Sequence, residues 1–287
     1  MIDRITTAES DKCRRPTLIE NIGTAIGKVL ADTPVRPWLR AVFHGVLNLQ
    51  TGGRGLTYSL PDGETVRILP AYRYVSWNLD EYNAFKKTLG PGSIALDIGA
   101  NVGCYSLLFG QWTGLDGKVF AFEPVPETFL GLSRHIELNA LCAVVIPVQA
   151  AVCDSSAAAA SFFVSDIKGI SRLAVREDET PLSRVVQVPT ITVDEFCARE
   201  KVLPDFIKID VEGFELAVLR GARETIKARG KKLALFMEIH PTTWRRIGLS
   251  KEHVVAELEL QGLTAMPLGP FDDMWAVEGV CMRILAK

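Results

Sequence analysis

Five carboxylates and one imidazole in this chain stand where short apolar runs end. Asp97 lies within Leu96-Asp97-Ile98-Gly99-Ala100-Asn101-Val102-Gly103, and Glu123 closes Val119-Phe120-Ala121-Phe122. Asp210 and Glu212 follow Phe206-Ile207-Lys208-Ile209, while Glu238 and His240 follow Leu233-Ala234-Leu235-Phe236-Met237. If those runs are parallel strands, their carboxyl ends form one crevice, and the acids converge there on a ligand. A carboxylate in such a place orients or deprotonates a substrate hydroxyl, holds a divalent metal that does so, or shapes a loop through backbone hydrogen bonds. Glu238 and His240 are two apart on a strand and share a face, and a near-neutral imidazole is a natural base for a hydroxyl. Asp210, Glu212 and His240 are therefore the candidate catalytic groups. Asp210, Glu238 and His240 are the candidate ligands for a metal, an option the residues permit without favouring it.

Spacing narrows the ligand. Gly99 and Gly103 sit where a strand turns into a helix, so the backbone can approach a ligand and the helix start offers free N–H groups. The four-residue interval between them fits neither G-x-G-x-x-G nor G-x-x-x-x-G-K-[ST], which disfavours a dinucleotide or a triphosphate. S-Adenosyl-L-methionine has no phosphate. Its carboxylate and ammonium need backbone donors together with the acceptors that Asp97 and Asn101 offer, and Glu123 can take both hydroxyls of its ribose. Pro124 and Val125 would give the adenine apolar contact, with Asp154 as acceptor for its amine. Glu215 falls in the first turn of the next helix, where an acid is favoured by the helix dipole, so a purely structural role is as good a reading for it.

The elements that must position these groups follow from the pattern. Ile94 to Ile98, Lys118 to Phe122, Val144 to Ala150, Phe206 to Asp210 and Leu233 to Ile239 read as buried strands alternating with helices, which is the mark of a parallel sheet covered on both faces. Thr264 to Leu268 and Val280 to Leu285 read as two closing strands around Gly269-Pro270. The insertion 151–193 carries two β-prone stretches, Ala160 to Val164 and Val185 to Val188, suited to a hairpin or flap, and the run Ser155 to Ser161 reads as loop. Ahead of the sheet, Gly55 to Leu60 and Glu64 to Leu69 flank the turn Pro61-Asp62-Gly63, a β-hairpin signal. Tyr82 to Leu89 reads as a short helix, as do Leu18 to Leu30 and Trp38 to Leu47, with Pro34 and Pro37 interrupting the last pair. Residues 1–70 are thus expected to form an extension and hairpin, and 71–287 the cofactor-binding domain.

Composition excludes several partners. With 48% hydrophobic and 23% charged residues in 287, the chain is ordinary for a globular enzyme. No stretch approaches the roughly 20 apolar residues of a membrane span. Lys plus Arg at 32 against Asp plus Glu at 34 gives a formal charge of -2, which offers no field for a nucleic acid. The six cysteines show no metal-binding spacing and read as reduced thiols, and Met1-Ile2-Asp3-Arg4 lacks the start of a secretory signal, so the expected location is cytoplasmic.

These residues resemble the FkbM-type methyltransferases. The resemblance rests on Leu96 to Gly103, on Phe122-Glu123-Pro124, on Ile191-Thr192-Val193-Asp194-Glu195-Phe196, and most specifically on Ile207-Lys208-Ile209-Asp210-Val211-Glu212-Gly213-Phe214-Glu215 with Leu219-Arg220-Gly221-Ala222; it covers residues 72–241. It implies a Rossmann-like class I methyltransferase fold, α/β, with a seven-stranded, mostly parallel sheet. It also implies transfer of a methyl group to a hydroxyl of a sugar or polyketide-type natural product, in secondary metabolism. By the same resemblance Glu81, an acid ahead of the first strand, meets the methionine ammonium. A glycoside or polyketide hydroxyl is then the small-molecule partner, and a homo-oligomer is compatible with this reading. Methylation of nitrogen or of a carboxylate, or cofactor binding without turnover, are the alternatives.

Overall fold

The structure is a computed structural model that describes residues 36–165, 171–173 and 183–287, together with 13, 14, 17 and 20. Of the helix expected at Leu18 to Leu30, all but Glu20 lies outside the described residues. Helix α1, Arg36–Gln50, carries Pro37 in its first turn, where a missing N–H costs nothing. Strands β1 (Leu56–Ser59) and β2 (Thr65–Ile68) pair antiparallel across the expected turn. Helix α2, Leu79–Thr88, starts three residues ahead of its expected position because the Asn78 side chain accepts from the backbone N–H groups of Asp80 and Glu81.

The central sheet has seven strands in the order β12-β13-β11-β10-β3-β4-β5. Its core strands are β3 (Ile94–Ile98), β4 (Lys118–Phe122), β5 (Val145–Val148), β10 (Phe206–Ile209) and β11 (Ala234–Ile239), all mutually parallel. At the far edge β12 (Leu263–Pro267) and β13 (Val280–Ala286) close the sheet, with β13 antiparallel to both neighbours. This is the Rossmann-like class I methyltransferase arrangement. The short third strand breaks at Ala150, where β6 (Ala151–Val152) leaves for a second sheet of order β6-β9-β7-β8. That sheet contains β7 (Ala157–Ser165), β8 (Ser171–Leu173) and β9 (Ser183–Ile191). The expected hairpin is present as the antiparallel pair β7 and β9, but the small-residue run read as loop is strand from Ala157 onward. Pairing with β9 overrides the weak strand propensity of alanine there.

Helices α3 (Cys104–Thr113), α4 (Pro126–Leu138), α5 (Val193–Glu200), α6 (Glu215–Arg220), α7 (Arg223–Arg229), α8 (Pro241–Arg246) and α9 (Lys251–Leu260) complete the described chain. One apolar cluster joins Leu96, Ile98, Ile207, Ile209, Met237 and Trp244, and a second joins Ala95, Phe206 and Phe236 to the hairpin side chains Leu56, Tyr58, Val66 and Ile68. The hairpin therefore shares a core with the sheet. His135 on α4, fully buried, ties the two: Leu69 N donates to its Nε2 at 2.9 Å and its Nδ1 lies 2.7 Å from the Val102 carbonyl. A neutral imidazole meets both contacts, and burial pushes its pKa down accordingly. All six cysteines are free. Among the described residues no helix is long and apolar enough to cross a membrane.

Candidate active site

Strand order reverses between β3 and β10, and the crevice at their carboxyl ends is where the site lies. The two strand ends are stitched together by Asp210 N donating to Ile98 O at 2.9 Å, while Gly99 N and Ala100 N both donate to Phe122 O. Gly99 is in the left-handed region at φ +83°, and a Cβ there would overlap the Asp210 carbonyl, so only glycine lets the first and fourth strand ends meet. Asn101 and Glu212 also hold positive φ, at 52° and 49°. Such backbone is uncommon for side chains of this kind, and here both residues line the cleft.

On one side of the cleft are Gly99, Asn101, Glu123 and Pro124, with Ala150, Val152 and Phe162 as the apolar wall. The cleft is open to solvent, and its empty space, counting the mouth, is about 790 Å³. Asp97, 1% exposed, accepts from Ser106 Oγ at 2.5 Å through Oδ2, while its Oδ1 has no hydrogen-bond partner and stands 4.0 Å from Lys208 Nζ. Burial pushes its carboxyl up. Glu123 accepts from Val125 N at 2.9 Å, and burial, only partly offset by that bond, raises it to about 7. Gly103 stands behind the wall as the left-handed residue before α3, packed over Leu132. Asp154 is exposed beyond β6, in a turn pressed against Gly221, and Phe162 lines the cleft.

Facing this wall, β10, β11 and α2 bring the other acids around two cations. Lys208, in the middle of β10 and buried, donates to Asp210 Oδ2 at 2.9 Å. Its pKa is raised: burial works against the charge, and Asp210, Asp97, Glu238 and Glu81 outweigh it. Burial pushes Asp210 up, but Lys208 and His240 together bring it below its ordinary value. Glu81, in the first turn of α2, rises to about 7 through burial and the nearby Glu238 charge. Glu212 likewise rises to about 7, chiefly by burial.

His240 is fixed by Glu215. That carboxylate, fully buried, receives Gly213 N at 2.8 Å and His240 Nδ1 at 2.7 Å on Oε1, and Trp244 Nε1 at 2.6 Å on Oε2. Burial would neutralise the imidazole, yet the adjoining Glu215 and Glu238 carboxylates hold its pKa up at about 12. These carboxylates favour the protonated imidazole in the free protein. The three other carboxylates surround its far edge: Nε2 lies 3.6 Å from Glu212 Oε2, 3.6 Å from Glu238 Oε1 and 3.9 Å from Asp210 Oδ1. One ligand atom each from Asp210, Glu212 and His240 falls within 4.8 Å of the others, so Glu212 takes the place that Glu238 has in the sequence-derived metal set.

The model of the methyltransferase FkbM domain matches residues 97–263. The chain belongs to the FkbM methyltransferase family. It is 30% identical over 135 residues to the hexuronic acid methyltransferase AglP of Haloferax volcanii, covering 46% of this chain and 51% of that one. With methyltransferase 1 of Beauveria bassiana it shares 30% identity over 150 residues, 45% of this chain and 58% of the other. The chain thus spans little more than half the length of these relatives. Among solved structures, an FkbM methyltransferase from Methylobacillus flagellatus KT aligns over 71% of this chain and 50% of that one, at 16% identity and a TM-score of 0.44. An S-adenosylmethionine-dependent O-methyltransferase from Thermotoga maritima aligns over 81% and 77%, at 13% identity and a TM-score of 0.44.

An FkbM methyltransferase takes S-adenosyl-L-methionine as methyl donor, and the residues present fit it. The acids Glu81, Asp97, Glu123, Asp210, Glu212, Glu215 and Glu238 outnumber Lys208 and His240, so the site favours a ligand with a net positive charge, which a sulfonium with its ammonium provides. The unpartnered Asp97 Oδ1 and the closed Gly99 turn point the same way. Lys208 has no assigned role in the sequence, and Glu215 reads there as equally well structural. A lysine in a strand otherwise continuous with Phe206, Ile207 and Ile209 is itself a signal, because such a charge is buried only when paired. Glu215 carries a weaker signal, since its partners His240 and Trp244 lie 25 and 29 positions away.

Proposed function

We propose that the chain transfers a methyl group from S-adenosyl-L-methionine to a hydroxyl of a small polyhydroxylated acceptor, a sugar or a polyketide-type product. The observation that carries this reading is Asp210. Its carboxylate lines the cofactor cleft, is 27% exposed, and is held ionised by Lys208 and His240, so it can accept a hydroxyl proton at neutral pH. Glu212, 32% exposed beside it, is placed to hold a neighbouring hydroxyl. AglP is a hexuronic acid methyltransferase, which supports a sugar as acceptor.

When bound, the cofactor supplies a methyl group on a positively charged sulfur as the electrophile. Glu123 would hold its ribose and Pro124 with Phe162 its base, while Glu81, Asp97 and Asn101 would hold the methionine end with the backbone of Gly99 and the loop that Gly103 terminates. Asp210 would take the acceptor proton and His240 would keep Asp210 and Glu212 in place as a charged anchor. Positioning supplies most of the acceleration in such a displacement, so one modest base suffices. We extend the reading to domain organisation, with 71–287 as the methyltransferase domain and 1–70 as an addition docked through its hairpin. A formal charge of -2 favours a small acceptor over a nucleic acid and the six free cysteines a reducing, cytoplasmic setting.

A labelled-methyl assay against glycosides, uronic acids, polyketides, phenols and amines tests the reading. Label in a base-stable ether of a polyol bears it out. Label only in amines or in base-labile esters, or none with any acceptor, overturns it.

A further inference from the structure

We propose that Asp210, Glu212 and His240, with Glu238 beside them, form a binding site for one divalent cation of the Mg2+ or Mn2+ class, which holds the acceptor's reacting hydroxyl and an adjacent oxygen. The role assigned to the cation rests on the hydroxyl reading above; the site itself does not.

The geometry is that of ligands awaiting a shared ion. His240 is 4% exposed, and the oxygens nearest its Nε2 stand at 3.6, 3.6 and 3.9 Å, beyond hydrogen-bond distance. Around an octahedral ion with bonds of about 2.1 Å, neighbouring ligand atoms are roughly 3.0 Å apart and opposite ones roughly 4.2 Å. The separations of Glu212 Oε2 and Asp210 Oδ1 from Nε2, 3.6 and 3.9 Å, fall between, and one ligand atom from each of these three residues lies within 4.8 Å of the others. A ligating histidine donates its other ring N–H to a carboxylate that fixes the ring, and His240 Nδ1 does this to the fully buried Glu215 at 2.7 Å. Glu215 is fixed in turn by Trp244 and by Gly213 N, so Nε2 has one direction in which to point. Asp210 is divided between two tasks: Oδ2 accepts from Lys208 at 2.9 Å, which leaves Oδ1 facing Nε2. Two carboxylates with one imidazole, and a third carboxylate close by, make a hard, oxygen-rich donor set, unlike the thiolate sets that select copper.

Asp210 and Glu212 line the cofactor cleft, so the ion would sit between it and the acceptor. An acceptor offering two neighbouring oxygens, such as a vicinal diol or a hydroxyl beside a carboxylate, would chelate it. In the transfer the hydroxyl proton passes to a carboxylate, the oxygen lone pair forms the O–CH3 bond, and the S–CH3 bond breaks with its pair left on sulfur. The cation changes no oxidation state and only makes the hydroxyl more acidic.

The test uses the full chain, stripped with a chelator, desalted and titrated with Mn2+ while the free ion is followed by electron paramagnetic resonance, with neither cofactor nor acceptor present. The expected result is one saturable Mn2+ per chain, displaced by Mg2+, with affinity reduced about 10–100-fold in Glu215→Gln and at least as much in Glu212→Gln. Circular dichroism confirms folding of each variant, and the partly exposed Glu212 keeps the test open if the buried Glu215 variant fails to fold. No saturable binding, or equal binding in wild type and folded Glu212→Gln, overturns the site. Failure of hydroxyl methylation is read separately: with Mn2+ bound and no hydroxyl methylated, the site stands and the acceptor reading falls, whereas ether formation in chelator without Mn2+ binding does the reverse.

Discussion

Helix α2 serves two groups of acids that behave in opposite ways, one partly buried and one buried. At the hairpin turn, Glu64 accepts from Tyr82 at 2.7 Å, from Trp112 at 3.0 Å and from Lys86. Burial pushes its carboxyl up, yet these donors outweigh burial and hold it at about 2. Glu81 on the same helix, with Glu123 and Glu212 across the cleft, is raised to about 7, because burial there meets too few donors. The contrast separates a fastening from a site. Where the chain completes the hydrogen bonds of a carboxylate, the residue holds the hairpin to the sheet; where it does not, the carboxylates are left for a positively charged ligand.

The sharpest break in that contrast is Asp210→Asn, which keeps the shape and removes the ionised oxygen. Turnover should fall by at least about 100-fold, the usual yield of a positioned base, while cofactor affinity changes far less. Steady-state rates alongside cofactor titration measure both, and an equal loss in each would move Asp210 from the acceptor to the cofactor.

Glu64→Gln attacks the other cluster. It removes the charge that Lys86, Tyr82 and Trp112 surround and should cost about 2 kcal/mol in urea unfolding, with turnover per folded molecule unchanged. The sign of its pH dependence follows from a folded value of about 2 below an ordinary 4.5. Its stabilisation is present above pH 4.5 and is lost as pH falls through about 2, so the variant's deficit should vanish in strong acid. A deficit that persists at pH 2 would mean packing, not charge, fastens the hairpin.

The same contrast explains what could be read before the fold was known. Asp97, Glu123, Asp210 and Glu238 each end an apolar run, and Gly99 and Gly213 mark the turns, so the strands and the acids at their ends are written locally. Whether an acid is satisfied is not local. Glu64 finds Trp112 across 48 positions and Glu215 finds His240 across 25, and both relations exist only once strands and helices are packed. His240 shows the cost: as a residue type it reads as a neutral base, and only its ring of carboxylates keeps it charged.

The smallest predicted effect brings both sides of the comparison into one variant. Glu123 has a folded value of about 7 above an ordinary 4.5, so its contribution to stability is present below pH 4.5 and is lost as pH rises through about 7. Glu123→Gln removes a buried charge at pH 8 and should stabilise the free protein there by about 1 kcal/mol, with no gain at pH 4.5. The same change should weaken cofactor binding about tenfold at pH 8, one charge-assisted hydrogen bond to the ribose being worth that much. Wild-type affinity should itself improve as pH rises through about 7, as Glu81 and Glu123 become ionised, and this slope should be shallower in the variant. Thermal melts at pH 4.5 and 8, with and without cofactor, read all of these. A variant that melts lower than wild type at pH 8 would show that Glu123 is a fastening like Glu64 and not a group left for a ligand.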